Sequence, residues 1–74
     1  MDAKHNAPTV GSIWRHRNGQ TYQVVRITNV GSAKPEYPET VVYVNTAHDT
    51  WWSRPVAEWH RSFTRVDNDA VRIK

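Results

Sequence analysis

Residues 51–63 read Trp51-Trp52-Ser53-Arg54-Pro55-Val56-Ala57-Glu58-Trp59-His60-Arg61-Ser62-Phe63, and they hold three of the chain's four tryptophans and its single phenylalanine. The first half predicts a strand from Thr50 to Arg54 that ends at Pro55. Proline fits the first position of a helical turn, where its missing N–H costs nothing. Val56, Trp59 and Phe63 then recur at helical spacing and are expected to face the core together. Glu58 and Arg61 sit on the favourable sides of a short helix dipole. A strand feeding a proline-started turn, late in a small chain, predicts a small barrel with a helical plug. Trp51 and Trp52 are consecutive on a strand, so their side chains point to opposite faces. One is expected in the core and the other exposed or covered.

Working outward, the rest of the chain reads as strands and turns. Ile13-Trp14-Arg15-His16 is the first strand, and Asn18-Gly19 is a strong hairpin signal because both residues tolerate positive φ. The second strand runs from Thr21 to about Asn29, with imperfect alternation. A bulge near Val25-Arg26 would bring Tyr22, Val24 and Ile27 onto one core face and supply the bend a small barrel needs. Residues 30–39 carry two prolines and one glycine and read as a loop. Thr40 to Asn45 is a strand with apolar residues on both faces, so it is expected to be central. Residues 46–49 turn the chain, and Thr64-Arg65-Val66 is a fifth short strand. Ala70 to Ile73 is a candidate hairpin partner for it. Five short strands and one helical turn at about residues 55–61 predict an all-β fold, a small SH3-like five-stranded barrel.

The 74 residues make one domain, taken as residues 10–74 behind a flexible N-terminal arm of residues 1–9. With no cysteine there is no disulfide framework and no Cys-based zinc site. The polar start, Met1-Asp2-Ala3-Lys4-His5-Asn6, lacks the apolar region of a secretory signal, and no apolar run is long enough to span a bilayer. A cytoplasmic protein with no membrane partner is the expectation. The core must therefore suffice for stability, and aromatic side chains, each burying roughly 150–250 Å², are what can build it.

The order Trp14-Arg15-His16, Asn18-Gly19, Tyr22-x-Val24, Pro38-Glu39-x-Val41-Val42-Tyr43, Trp52-x-Arg54-Pro55, Trp59 and Phe63 resembles a family of short bacterial and phage proteins. That family is a domain of unknown function with an aromatic-His, Gly-x-x-Tyr-x-Val, Val-Val-Tyr, Trp-x-Arg-Pro, Phe series. The resemblance covers about residues 11–66. This chain departs from it by a longer proline-containing loop at 34–38, the extra Trp51 and the Trp59-His60 pair. The resemblance implies a small β domain, often phage- or prophage-encoded. It implies no activity.

The residues offer little chemistry. His5, His16, His48 and His60 have no recognised ligand spacing, so no metal or other cofactor is expected. His16 and His60 read as polar caps on barrel ends or as surface residues. Ser12, Ser32, Ser53 and Ser62 lack a nucleophile-elbow context, and Gly11, Gly19 and Gly31 are too scattered for a phosphate fingerprint. Glu36 and Glu39 lie in a loop rather than a rigid cleft. The expectation is a binding module, not an enzyme.

The best functional signal is an aromatic–basic constellation: Trp14, Arg15, Arg17, Trp52 and Arg54. An exposed Trp beside Arg can stack a nucleobase while the guanidinium reaches a phosphate. The same pair can anchor a protein interface. It can also be an internal packing contact that braces the helical turn. The formal net charge of +3 is modest, and residues 30–50 carry −2. That balance favours a protein-interaction module, and the resemblance implies a phage- or prophage-borne accessory protein, here expected to dock on a host protein. Nucleic-acid binding through the basic–aromatic face is the alternative, kept open by the arginine-rich first hairpin.

Overall fold

The computed structural model describes residues 7–66. Five antiparallel strands form one sheet: β1 (Ile13–His16), β2 (Thr21–Thr28), β3 (Thr40–Asn45), β4 (Trp51–Pro55) and β5 (Phe63–Arg65). Their spatial order is β4-β3-β2-β1-β5, so β4 and β5 are the edges and no ladder joins them. A 3-10 turn, Val56–Glu58, stands before β5. It is shorter than a dipole argument needs, and Arg61 lies beyond it. The candidate partner strand at 70–73 and residues 1–6 of the arm lie outside the described residues.

Two local features set the curvature. Gly19 takes φ +94° in the β1–β2 turn, whereas Asn18 does not take a positive φ, so the hairpin expected at Asn18-Gly19 forms with only its glycine in the left-handed region. In the β2–β3 ladder, Val24 pairs with Tyr43 and Arg26 with Val42, with the register shifting between them. The expected bulge therefore exists. Tyr22 and Val24 are buried before it, and Ile27 packs against the same core after it. β3 alternates strictly, with Val41, Tyr43 and Asn45 buried.

The core is one aromatic cluster. Trp59 is fully buried and stacks on Phe63, with ring centroids 3.9 Å apart and planes 6° apart. Tyr43 meets both rings edge-on at 5.0 and 5.3 Å, and Tyr22 meets Phe63 at 5.7 Å. The 3-10 turn thus lays Trp59 across the inner face of β3 while β5 brings Phe63 beside it. Val56, Trp59 and Phe63 are all buried, as their spacing predicts. Trp14 seals the β1 side, its ring edge-on to Trp59 at 5.6 Å. Its Nε1–H donates to the buried Ser12 Oγ at 2.8 Å, and Ser12 Oγ–H donates to the Thr9 carbonyl at 2.5 Å. The arm is thereby anchored at its end: Ala7 packs on the core and Pro8 is buried.

Neither Trp51 nor Trp52 enters the core; they are 59% and 53% exposed. This corrects the expectation that one of them would be buried. β4 is an edge strand, and Tyr43, paired with Trp52, already fills the inner face there.

Candidate functional site

Five aromatic and basic side chains are expected to form one face, and the fold distributes them over three places. Trp14 is a core residue, 6% exposed. Arg15 alternates with Trp14 on β1, pairs with Thr64 and Thr21, and is exposed on the outer face, with Arg17 exposed just beyond it. Trp52 and Arg54 pair with the buried Tyr43 and Val41, which puts both on the inner side of the sheet at its β4 margin. Arg54 is half-buried, and its guanidinium lies over Phe63, 5.3 Å from the ring centroid. It spans the open side of the sheet from β4 to β5. The internal contact expected between Trp52 and Arg54 is replaced by one between Arg54 and Phe63.

His16 links these places. Its ring is half-buried, edge-on to Phe63 at 4.9 Å and to Tyr22 at 6.3 Å. Burial lowers its pKa from the ordinary value, the charges of Arg54 and then Arg17 lower it further, and the Asn18 side chain partly offsets them. The Asn18 backbone N–H donates to His16 Nδ1 at 3.0 Å, which fits the neutral ring.

Two clefts meet at His16. One, of about 390 Å³, opens between the β1–β2 turn and the β3–β4 turn. Its aromatic and charged lining is His16, Tyr22, Tyr43, His48, Trp52 and Arg54, and Asn18, Gln20, Asn45 and Thr50 complete it. The other runs along the β1–β5 margin past Arg15, Arg17, Arg61 and Arg65. Among the described residues no Asp or Glu lines either cleft. The described acidic side chains, Glu36, Glu39, Asp49 and Glu58, stand on the β2–β3 loop, the β3–β4 turn and the 3-10 turn.

The sequence reading missed Gln20, Asn45 and Thr50. Asn45 was legible: the Val41, Tyr43, Asn45 alternation puts an amide on the inner face at a strand end. Gln20 and Thr50 carry no such mark, because turn side chains acquire neighbours only when the two hairpins meet. Among the described residues no three of His, Cys, Asp or Glu gather as a metal site would require. No helix of the described chain is long and apolar enough to cross a membrane. Compared with known protein families, curated proteins and solved structures, this chain has no match.

Proposed function

We propose that this chain is a non-enzymatic binding module on an SH3-like barrel frame, and that it binds single-stranded nucleic acid. The strand order, the bulge in β2 and the 3-10 turn before β5 support the barrel reading. The packing of Arg54 on Phe63 across the open side supports it as well.

One observation carries the partner class. Arg15, Arg17, Arg54, Arg61 and Arg65 line two clefts that share His16, and no acidic side chain of the described residues lines either. The net charge of +3 is modest when summed over the chain, yet folding sorts it by place. Glu36 and Glu39 of the −2 segment stand on the β2–β3 loop, away from this surface, and Asp49 sits on the β3–β4 turn between the lining residues His48 and Thr50 without lining the cleft itself. A basic margin that runs into a cleft with an exposed Trp52 has the two parts that single-strand binding combines: a track for phosphates and a platform for a base. Docking on a host protein, favoured by net charge alone, becomes the competing outcome of the test.

The test is a salt titration of binding to a short single-stranded oligonucleotide, read by fluorescence anisotropy. About four phosphate contacts give a log–log slope near −3, so affinity falls roughly 50-fold between about 50 and 200 mM salt. Absence of binding at the lower salt refutes the nucleic-acid reading.

A further inference from the structure

In the 390 Å³ cleft around Trp52 the side-chain oxygens of Asn18, Gln20, Asn45 and Thr50 each accept an internal hydrogen bond, which turns donors toward the cleft beside the Tyr22 and Tyr43 hydroxyls and the His48 ring. The chain of bonds fixes which atom of each amide is which. Asn45 is buried, and its Oδ1 accepts two backbone N–H groups, from Ala47 at 2.8 Å and His48 at 3.1 Å. Its Nδ2 therefore faces Gln20 and donates to Gln20 Oε1 at 2.6 Å. That leaves the Gln20 Nε2 amino group as the free end of Gln20. The same logic repeats in the β1–β2 turn. Asn18 Oδ1 accepts the Gln20 backbone N–H at 2.8 Å, which leaves the Asn18 Nδ2 amino group. His16 Nδ1 accepts the Asn18 backbone N–H, which leaves Nε2–H. On the opposite wall Trp52 Nε1–H donates to Thr50 Oγ1 at 3.1 Å, which leaves the Thr50 hydroxyl proton. Arg54 has donors only.

A lining of donors from five side chains, one of them cationic, matches a ligand group that has acceptors only and carries negative charge. An ammonium group would meet the Arg54 cation there and find no carboxylate among the described lining residues. Among biological groups this describes an oxyanion, and arginine with amide donors is the common way to hold a phosphate. We infer that the cleft is a phosphate subsite: it takes the phosphate of a nucleotide whose base stacks on Trp52. The inference rests on the nucleic-acid reading above and adds where on the surface one phosphate is held and by which atoms.

The test is an NMR titration that follows the Trp52 indole and the Asn18 and Gln20 side-chain amides. Thymidine 5′-monophosphate, thymidine, inorganic phosphate and acetate are the probes. The monophosphate is expected to bind at least about tenfold more tightly than thymidine, a modest gain for charge-assisted bonds. Inorganic phosphate should shift the two amides without shifting the Trp52 indole as far. Gln20→Glu keeps the acceptor for Asn45 and turns the free donor into an acceptor, and Arg54→Gln removes the cation; either should abolish the preference for the monophosphate over thymidine. Equal affinity for nucleotide and nucleoside overturns the phosphate subsite while leaving salt-dependent strand binding intact. Acetate binding more tightly than phosphate also overturns it, and points to a peptide carboxylate. Amide shifts with inorganic phosphate in a protein that binds no oligonucleotide overturn the nucleotide assignment together with the nucleic-acid reading.

Discussion

At the scale of single residues, two tryptophans of similar burial differ in how their polar atom is treated. Trp14 Nε1 has Ser12 as its acceptor, whereas Trp59 Nε1 is buried and has no hydrogen-bond partner among the described residues. Trp59 is retained for its packing, since Phe63, Tyr43 and Trp14 all lean on its ring. Trp59→Ala is expected to cost about 3–5 kcal/mol. For a domain this small that is close to the whole stability, so the variant should be largely unfolded by circular dichroism. Trp59→Phe removes the unpartnered N–H along with some volume and should remain folded. His16 supplies a second residue-scale outcome. Its folded pKa lies below 6.5 because of burial, Arg54 and Arg17, so the unfolded chain takes up the proton first as pH falls. The contribution to stability is present above pH 6.5 and is lost as pH drops through the folded value. Denaturant melts at neutral and mildly acidic pH should show a smaller loss in His16→Gln than in the parent.

At the scale of elements, turns and the bulge do the positioning. Gly19 holds φ +94°, and a Cβ built there meets no atom within 4 Å. Gly19→Ala therefore suffers only backbone strain, and about 1–2 kcal/mol is expected. A parent-like melting temperature would mean that the β1–β2 turn relaxes without cost. The turn matters to the site because Asn18 and Gln20 flank this glycine, so the same substitution should also weaken oligonucleotide binding. β4 shows how an element's place overrides its composition. Two consecutive tryptophans read as half core, but an edge strand beside a filled inner face leaves both exposed.

At the scale of the whole molecule, the decisive property is where charge is carried. Arg15 and Arg17 are exposed, and the β1–β5 pairing that runs past them uses the backbone alone. Reversing both to Glu should lower the melting temperature little, since exposed substitutions change stability by about ±0.5 kcal/mol. Oligonucleotide affinity should fall and the salt dependence flatten by about two contacts. A folded double mutant that binds like the parent would place the phosphate track elsewhere.

Much of the fold is written locally in this chain. The Asn18-Gly19 turn, the strict alternation of Val41, Tyr43 and Asn45, and the Val56, Trp59, Phe63 spacing each follow from backbone stereochemistry or side-chain period. The β2 bulge is legible because Tyr22, Val24 and Ile27 cannot otherwise share a face. The site is written only in part. Arg15, Arg17, Trp52 and Arg54 could be picked out by residue type, but their separation onto two sides of the sheet could not. Neither could the burial of Trp14, the span of Arg54 to Phe63, or the meeting of Asn18 and Gln20 with Asn45 and Thr50 across one cleft. Those contacts join residues distant in sequence, and only the pairing of β1 with both β2 and β5, together with the curl of the sheet, brings them within reach.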